Sequence, residues 1–228
     1  MKGLGVRLSL FLKLWFTSLY AILIMLLIPI TALVIYSQSS YTVENLASLV
    51  YEEVAPIWFI LILQWCLSID IDSKFHMQMM TYPIARWKFL MERLLFSAVI
   101  FIGLLSIVSL ALTPFMESFA WQGLVFTVPV YITFAGIAVA GTIFANHSVG
   151  GLVGGILFWM FYDLGAILLG NDLQVIMLRY GSVYTFVNGT TGFFAATNHW
   201  ILYNRLYYMG IGVLLIGLAI WKFNRKTA

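Results

Sequence analysis

Charge is what this sequence has least of. Only 9% of its 228 residues are Asp, Glu, Lys or Arg, against roughly a quarter in ordinary soluble domains, while 62% are hydrophobic. That composition predicts an integral membrane protein. The single cysteine, Cys66, stands in an apolar run, which excludes an intrachain disulfide and suggests no redox chemistry. No glycine-rich loop followed by Lys-Ser or Lys-Thr occurs, so the chain cannot itself cradle nucleotide phosphates in the usual way. The histidines His76, His147 and His199 are scattered without an H-E-x-x-H helix or a nearby cysteine pair, and no metal site is expected. Paired acids, a catalytic-serine motif and a metal cluster are all missing at any common depth, which argues against an enzyme. The small positive excess sits beside apolar spans and forms no patch, so it reads as membrane topology and anionic-lipid contact and not as nucleic-acid binding. The N-terminus lacks a small-residue cleavage site and its apolar run is longer than a signal's, so it is expected to be retained.

What is present is a series of long apolar runs. A membrane crossing needs about 20 mostly apolar residues, and six stretches qualify: about 14–36, 54–69, 94–115, 124–145, 149–170 and 203–221. The second is short, follows a polar segment Ser37 to Glu53, and is interrupted only by Gln64. Residues 1–13 place Lys2, Ser9 and Lys13 on one side of a helical wheel and Leu4, Leu8, Phe11 and Trp15 on another. This describes either an interfacial helix or the basic flank of the first span. The predicted fold is a single all-α transmembrane domain with six spans.

The positive-inside rule orients it. With a cytoplasmic N-terminus, Lys2, Arg7, Lys13, Lys74, Arg86, Lys88, Arg93, Lys222, Arg225 and Lys226 lie inside, leaving Arg179 and Arg205 outside with Glu44, Glu52, Glu53, Glu117 and Asp172. Both termini are therefore expected in the cytoplasm, as in a multi-pass protein of a cell membrane, with a bacterial plasma membrane as the expected location.

A third of the charged side chains fall in one internal stretch, Ile69 to Leu94 (I-D-I-D-S-K-F-H-M-Q-M-M-T-Y-P-I-A-R-W-K-F-L-M-E-R-L). Asp72 or Ser73 can cap a new first turn, Tyr82 before a proline is pushed out of helical geometry, and Pro83 suits the first position of the next helix. The expected shape is a short amphipathic helix, a corner at Thr81-Tyr82-Pro83, and a helix entering the membrane.

Acidic residues after a second span, a short helix, then T-Y-P-I-A-R-W-K-F-L and a third span resemble the permease subunits of type-2 ABC exporters, with the Pro-x-x-Arg pattern, Pro83 to Arg86, as the sharpest local likeness. Six spans and a basic N-terminal helix extend it over nearly the whole chain. The resemblance implies that the loop helix is a coupling helix seated in a cleft of an ATPase subunit, with Asp72, Lys74, Phe75, Met77, Met79, Met80, Pro83 and Arg86 as the coupling residues. It favours the in-plane reading of residues 1–13 and implies short external re-entrant helices before the last span, within Asn171 to Asn204. It also implies two ABC ATPase subunits carrying ATP and Mg, with no cofactor in this chain, and a second permease copy or paralogue. Scarce charge in the spans points to a hydrophobic or amphipathic cargo: a peptide antibiotic, toxin, drug or lipid-linked molecule. A stand-alone secondary transporter or an intramembrane enzyme are the alternatives.

Two further features concern the spans. The fourth and fifth are joined only by Asn146-His147-Ser148, and the fifth opens S-V-G-G-L-V-G-G, where Gly150 with Gly154 and Gly151 with Gly155 are spaced to stack on one helix face. In lipid such small-residue stripes permit close backbone approach, within the chain or across a dimer. Asp163, in W-M-F-Y-D-L-G, and Gln64 are the polar residues inside apolar runs and hence pathway candidates, with local structure or interhelical bonding as the plainer roles.

Overall fold

The computed structural model describes residues 2–26, 42–72, 86–168, 177–189 and 198–225. Every regular element among them is helical. By contacts the chain divides into two compact units, Met1–Tyr41 and Thr42–Ala228.

In the first unit, α1 (Lys2–Thr17) and α2 (Leu19–Leu26) meet at a bend of 73°. The bend falls at Ser18, so the first helix runs four residues past the expected boundary at residue 13, and the expected span from residue 14 is broken near its start. The cause is local. Thr17 Oγ1 donates back to the carbonyls of Lys13 and Leu14 (2.9 and 3.2 Å), and the Ser18 N–H tightens to Trp15 O (3.0 Å). This i−3 closure ends one helix while Ser18 O accepts Ile22 N–H to begin the next. Phe11 and Trp15 are buried, whereas Val6, Leu10 and Leu14 are exposed.

The second unit begins earlier than the apolar pattern suggests. Helix α3 (Val43–Ser48) runs into a π-helical turn, Leu49–Val54, and then into α4 (Ala55–Ile71). The three form one 29-residue candidate span, Val43–Ile71, so residues 43–53 of the stretch expected to be polar and outside the span are instead its beginning. The π turn has a sequence cause. Ala55 N–H bonds Val50 O, five residues back, and the next donor in that register would be residue 56, which is proline. Pro56 has no N–H and its ring crowds the preceding turn, so the ladder widens there.

The remaining helices are α5 (Arg86–Met116), α6 (Phe119–Ala145), α7 (Ser148–Leu168), α8 (Gly181–Val187) and α9 (His199–Arg225). Each long one begins or ends beyond its expected apolar stretch, because aromatic and basic flanks such as Trp87, Lys88, Trp200, Lys222 and Arg225 continue the helix. Among the described residues four helices, α3–α4 together, α5, α6 and α9, are long and apolar enough to cross a membrane, the bent pair α1–α2 would make a fifth if it is one span, and Ser148–Phe161 is a shorter apolar stretch. The chain is thus a multi-pass helical membrane protein.

Helix α6 is the centre of this unit, packing on α4, α5, α7 and α9. Buried Phe134, Ala138, Val139 and Ile143 fill its core side. It crosses α9 where Gly136 meets Gly212: a Cβ added to Gly136 would lie 2.5 Å from Gly212 O, and Thr133 Oγ1 donates to Tyr208 O at 2.6 Å. Since lipid gives apolar helices no hydrophobic reason to associate, backbone approach and interhelical hydrogen bonds of this kind hold them. By contrast α5 and α9 are mostly exposed, through residues such as Leu95, Ile102, Ile107, Val213, Leu214 and Leu218, the apolar surface that acyl chains require.

The chain reverses between α6 and α7 on Asn146, whose φ of 57° is left-handed, a conformation asparagine tolerates at a helix C-terminus. The helix directions then define two ends. One carries Asp70, Asp72, Arg93, His147, Lys222 and Arg225 and is called the basic end. The other carries Glu44, Glu52, Glu53, Glu117, Arg179 and Arg205 and is called the acidic end.

Candidate functional site

At the basic end the structure ties down both roots of the 73–85 stretch. Asp70, at the end of α4, is buried and forms an ion pair with Arg93 of α5, with Nε 2.5 Å from Oδ2 and Nη2 3.1 Å from Oδ1. The guanidinium also lies 5.3 Å from the Phe89 ring centre. This two-pronged match suits arginine's planar fork. Two residues on, Asp72 accepts the Ser148 N–H (2.8 Å) and the Ser148 hydroxyl (2.5 Å), satisfying an orphan donor in the first turn of α7. Gln64 Nε2 donates to the same hydroxyl oxygen at 3.3 Å. His147 Nδ1 lies 3.4 Å from Asp72 and accepts Val149 N–H.

The acidic end converges on the π turn. Glu52 is completely buried and both of its oxygens are occupied: Oε1 accepts Arg205 Nη2 of α9 at 3.0 Å, and Oε2 accepts Ser48 Oγ at 3.0 Å and the Leu178 N–H at 2.7 Å. Arg205 is 6% exposed, and its guanidinium stands 4.0 Å from the Phe126 ring centre on α6, a cation–π contact strengthened by the lack of water. The backbone of the turn is bonded as well. Tyr131 OH donates to Tyr51 O at 2.6 Å, taking the place of the donor that Pro56 lacks. Trp159 Nε1 of α7 donates to Glu53 O at 2.8 Å. Tyr51 OH lies 2.9 Å from Ser109 Oγ of α5; because Ser109 already donates to Leu105 O, the tyrosine is the donor. Three consecutive residues, Tyr51, Glu52 and Glu53, thus hold hydrogen bonds to α5, α6, α7, α9 and the segment before α8.

The expected site residues fall unevenly on this geometry. Asp72 and Gln64 are brought together through Ser148, at the start of α7. Lys74, Phe75, Met77, Met79, Met80 and Pro83 lie outside the described residues, as does the side chain of Arg86, the first residue of α5. Asp163 falls on α7, and its side chain lies outside the described residues. Among the glycines, a Cβ on Gly150 would lie 2.6 Å from Gly141 O, one on Gly151 would collide with Ala138 O and Thr142 Oγ1, and one on Gly155 would lie 2.9 Å from Ile60 Cγ1. Gly154 differs: its nearest neighbour would be Ile137 Cγ2 at 3.5 Å, an ordinary contact. The described stripe therefore sits between α6 and α4 of the same chain at three of its four positions.

Glu52, expected among external acids, is a correction: it is fully enclosed by protein. Neither its partner Arg205 nor the Leu178 N–H was predicted to meet it. The available signal was Pro56, four residues after a Glu-Glu pair at the head of an apolar run, which marks a disrupted turn. Among the described residues no three His, Cys, Asp or Glu side chains cluster as metal ligands. No family model, no curated protein and no solved structure matches the chain.

Proposed function

We propose that the chain is the membrane-spanning permease subunit of an ATP-driven exporter, with six spans, cytoplasmic termini and a coupling helix in the 73–85 stretch that engages a separate ATPase. The observation that supports this best is the double fastening of the stretch's roots. Asp70 is clamped to Arg93 and Asp72 to Ser148, so a force applied to the loop reaches α4, α5 and α7 together. A loop that only lay on lipid headgroups would gain nothing from such anchoring. Two copies, or this chain and a paralogue, enclose the pathway for a hydrophobic or amphipathic cargo, and ATP and Mg bind on the partner.

Stand-alone secondary transport is the second reading, because such a protein needs buried ionisable residues in its spans and Glu52 with Arg205 supplies a pair. Both oxygens of Glu52 are already bonded within the protein, however, which ranks this reading second. The test is co-purification from detergent with an ABC ATPase encoded beside the gene. Phe75→Ala with Met79→Ala truncates two anchors of the proposed interface, at a cost of more than about 2 kcal/mol of binding if they are central to it, and should release the ATPase or abolish its transport-stimulated hydrolysis. Retention of both at wild-type levels refutes the docking role.

A further inference from the structure

We infer that the π-helical turn Leu49–Val54 is a latch that keeps the acidic end of the helix bundle closed, and that it opens when the side-chain bonds gathered on the turn are released together. This inference does not depend on the permease reading.

A π turn is a poorer arrangement than the α-helix on either side of it and persists where surrounding contacts maintain it. Here the contacts are named. Tyr131 supplies the donor absent at Pro56, Trp159 takes Glu53 O, and the Glu52 carboxylate collects Ser48, Leu178 and Arg205. Each bond comes from a different neighbour, and Tyr51 adds Ser109 of α5, so the turn is where α5, α6, α7, α9 and the segment leading to α8 are joined.

Glu52 is shared by Ser48, Leu178 and Arg205, so one movement of its carboxylate releases α9 and the segment before α8 together. Asp70 and Asp72 instead fasten the end of a regular α-helix to α5 and α7.

The segment held by Leu178 supports a closing role. Met177, Leu178 and Val183 are completely buried, while Tyr180 of the same segment is exposed. A short helix with one face pressed against α6, as Phe119 on Tyr184 shows with ring centres 4.8 Å apart, covers the bundle's end and is pinned at Leu178 by the Glu52 carboxylate.

Thiol accessibility in lipid nanodiscs, which expose both faces, tests the latch. In a Cys66→Ala background, Ala47→Cys places a reporter at a fully buried position next to the turn, to be probed with a charged methanethiosulfonate reagent. The closed end predicts slow labelling. Glu52→Gln should speed it by more than about tenfold and Tyr131→Phe by about threefold, the changes expected from losing a charge-assisted and a neutral hydrogen bond that hold the closed form. Glu53→Gln, which alters the partly exposed ion pair with Arg179 and keeps the backbone oxygen that holds Trp159, should change the rate less than Glu52→Gln does. Rapid labelling without any latch substitution overturns the inference, as does equal labelling in Glu52→Gln and Glu53→Gln. Should Glu52→Gln fail to fold, Tyr131→Phe decides, and an unchanged rate there refutes the latch.

Discussion

The two ends of the helix bundle use similar side chains to opposite effect. At the basic end, carboxylates fasten the termini of α4, α5 and α7. At the acidic end, a carboxylate is drawn into the protein and made the common partner of a hydroxyl, a backbone N–H and a guanidinium. The difference lies in the backbone. Asp70 and Asp72 leave a regular helix, whereas Glu52 sits in a turn that Pro56 has already disrupted, so its neighbours must supply the bonds that the helix cannot. Charge at a helix end organises a surface, and charge at a helix defect organises a core.

The comparison breaks most sharply at Arg205. Arg205→Leu leaves the Glu52 carboxylate buried with its ionic partner gone, a change that commonly costs about 3–5 kcal/mol. Thermal unfolding in detergent should show a large drop in Tm, with Glu52→Leu added in the same chain recovering part of it. A drop no larger than that of a surface substitution would show that the pair does not anchor the acidic end. Next in size is the α6–α9 crossing. Gly212→Leu would force a side chain where even a Cβ lies 2.5 Å from Ile132 O; overpacking typically costs about 1–3 kcal/mol and here requires two backbones to separate. Gly154→Ala, with no neighbour nearer than 3.5 Å, should leave Tm unchanged, so the pair of variants separates close packing from glycine content.

Much of the bundle was legible in the sequence because lipid imposes a one-dimensional rule: a helix must be long and apolar, and α5, α6 and α9 announce themselves by composition. The α6–α7 reversal was legible too, since three polar residues between apolar runs leave no other connection. Three things were hidden, each for a physical reason. The break at Ser18 arises from a threonine's back-bonding within a uniformly apolar run, which hydropathy cannot register. The extension of the second span back to Val43 was masked by Glu44, Glu52 and Glu53, since acids read as external when their partners, Arg205 and Arg179, lie more than a hundred residues away. Gly136 and Gly212 form no repeat within either helix; only the crossing of α6 and α9 makes them a pair.

A sharper version of the comparison sets Asp72 against Glu52. Asp72→Ala removes two hydrogen bonds to Ser148, one of them to a hydroxyl that Gln64 also contacts. Because the site is partly open to solvent, water can replace part of what is lost, and the expected cost is about 1–2 kcal/mol. Asp72→Asn, which keeps an acceptor oxygen, should lose less. Equal losses in the two variants would mean that charge, and not hydrogen bonding, fastens the loop root to α7.

The smallest effect is expected from Arg179, the other cation at the acidic end. Its guanidinium lies 3.7 Å from Glu53, and the two side chains are 38% and 29% exposed. Arg205 and Arg179 thus address adjacent glutamates from the same side of the bundle and differ chiefly in access to water. Water screens the second pair, and holding two long side chains together costs conformational entropy, so exposed pairs of this kind contribute about 0–1 kcal/mol. Arg179→Ala should therefore lower Tm only slightly, and the difference should shrink further as salt is raised because the pair is within reach of mobile ions. Glu53 keeps its structural role regardless, since its backbone oxygen, not its carboxylate, holds Trp159. If Arg179→Ala destabilised the protein as much as Arg205→Leu, burial would not be what distinguishes the two ion pairs, and the acidic end would have to be held by net charge instead of by the bonds within the π turn.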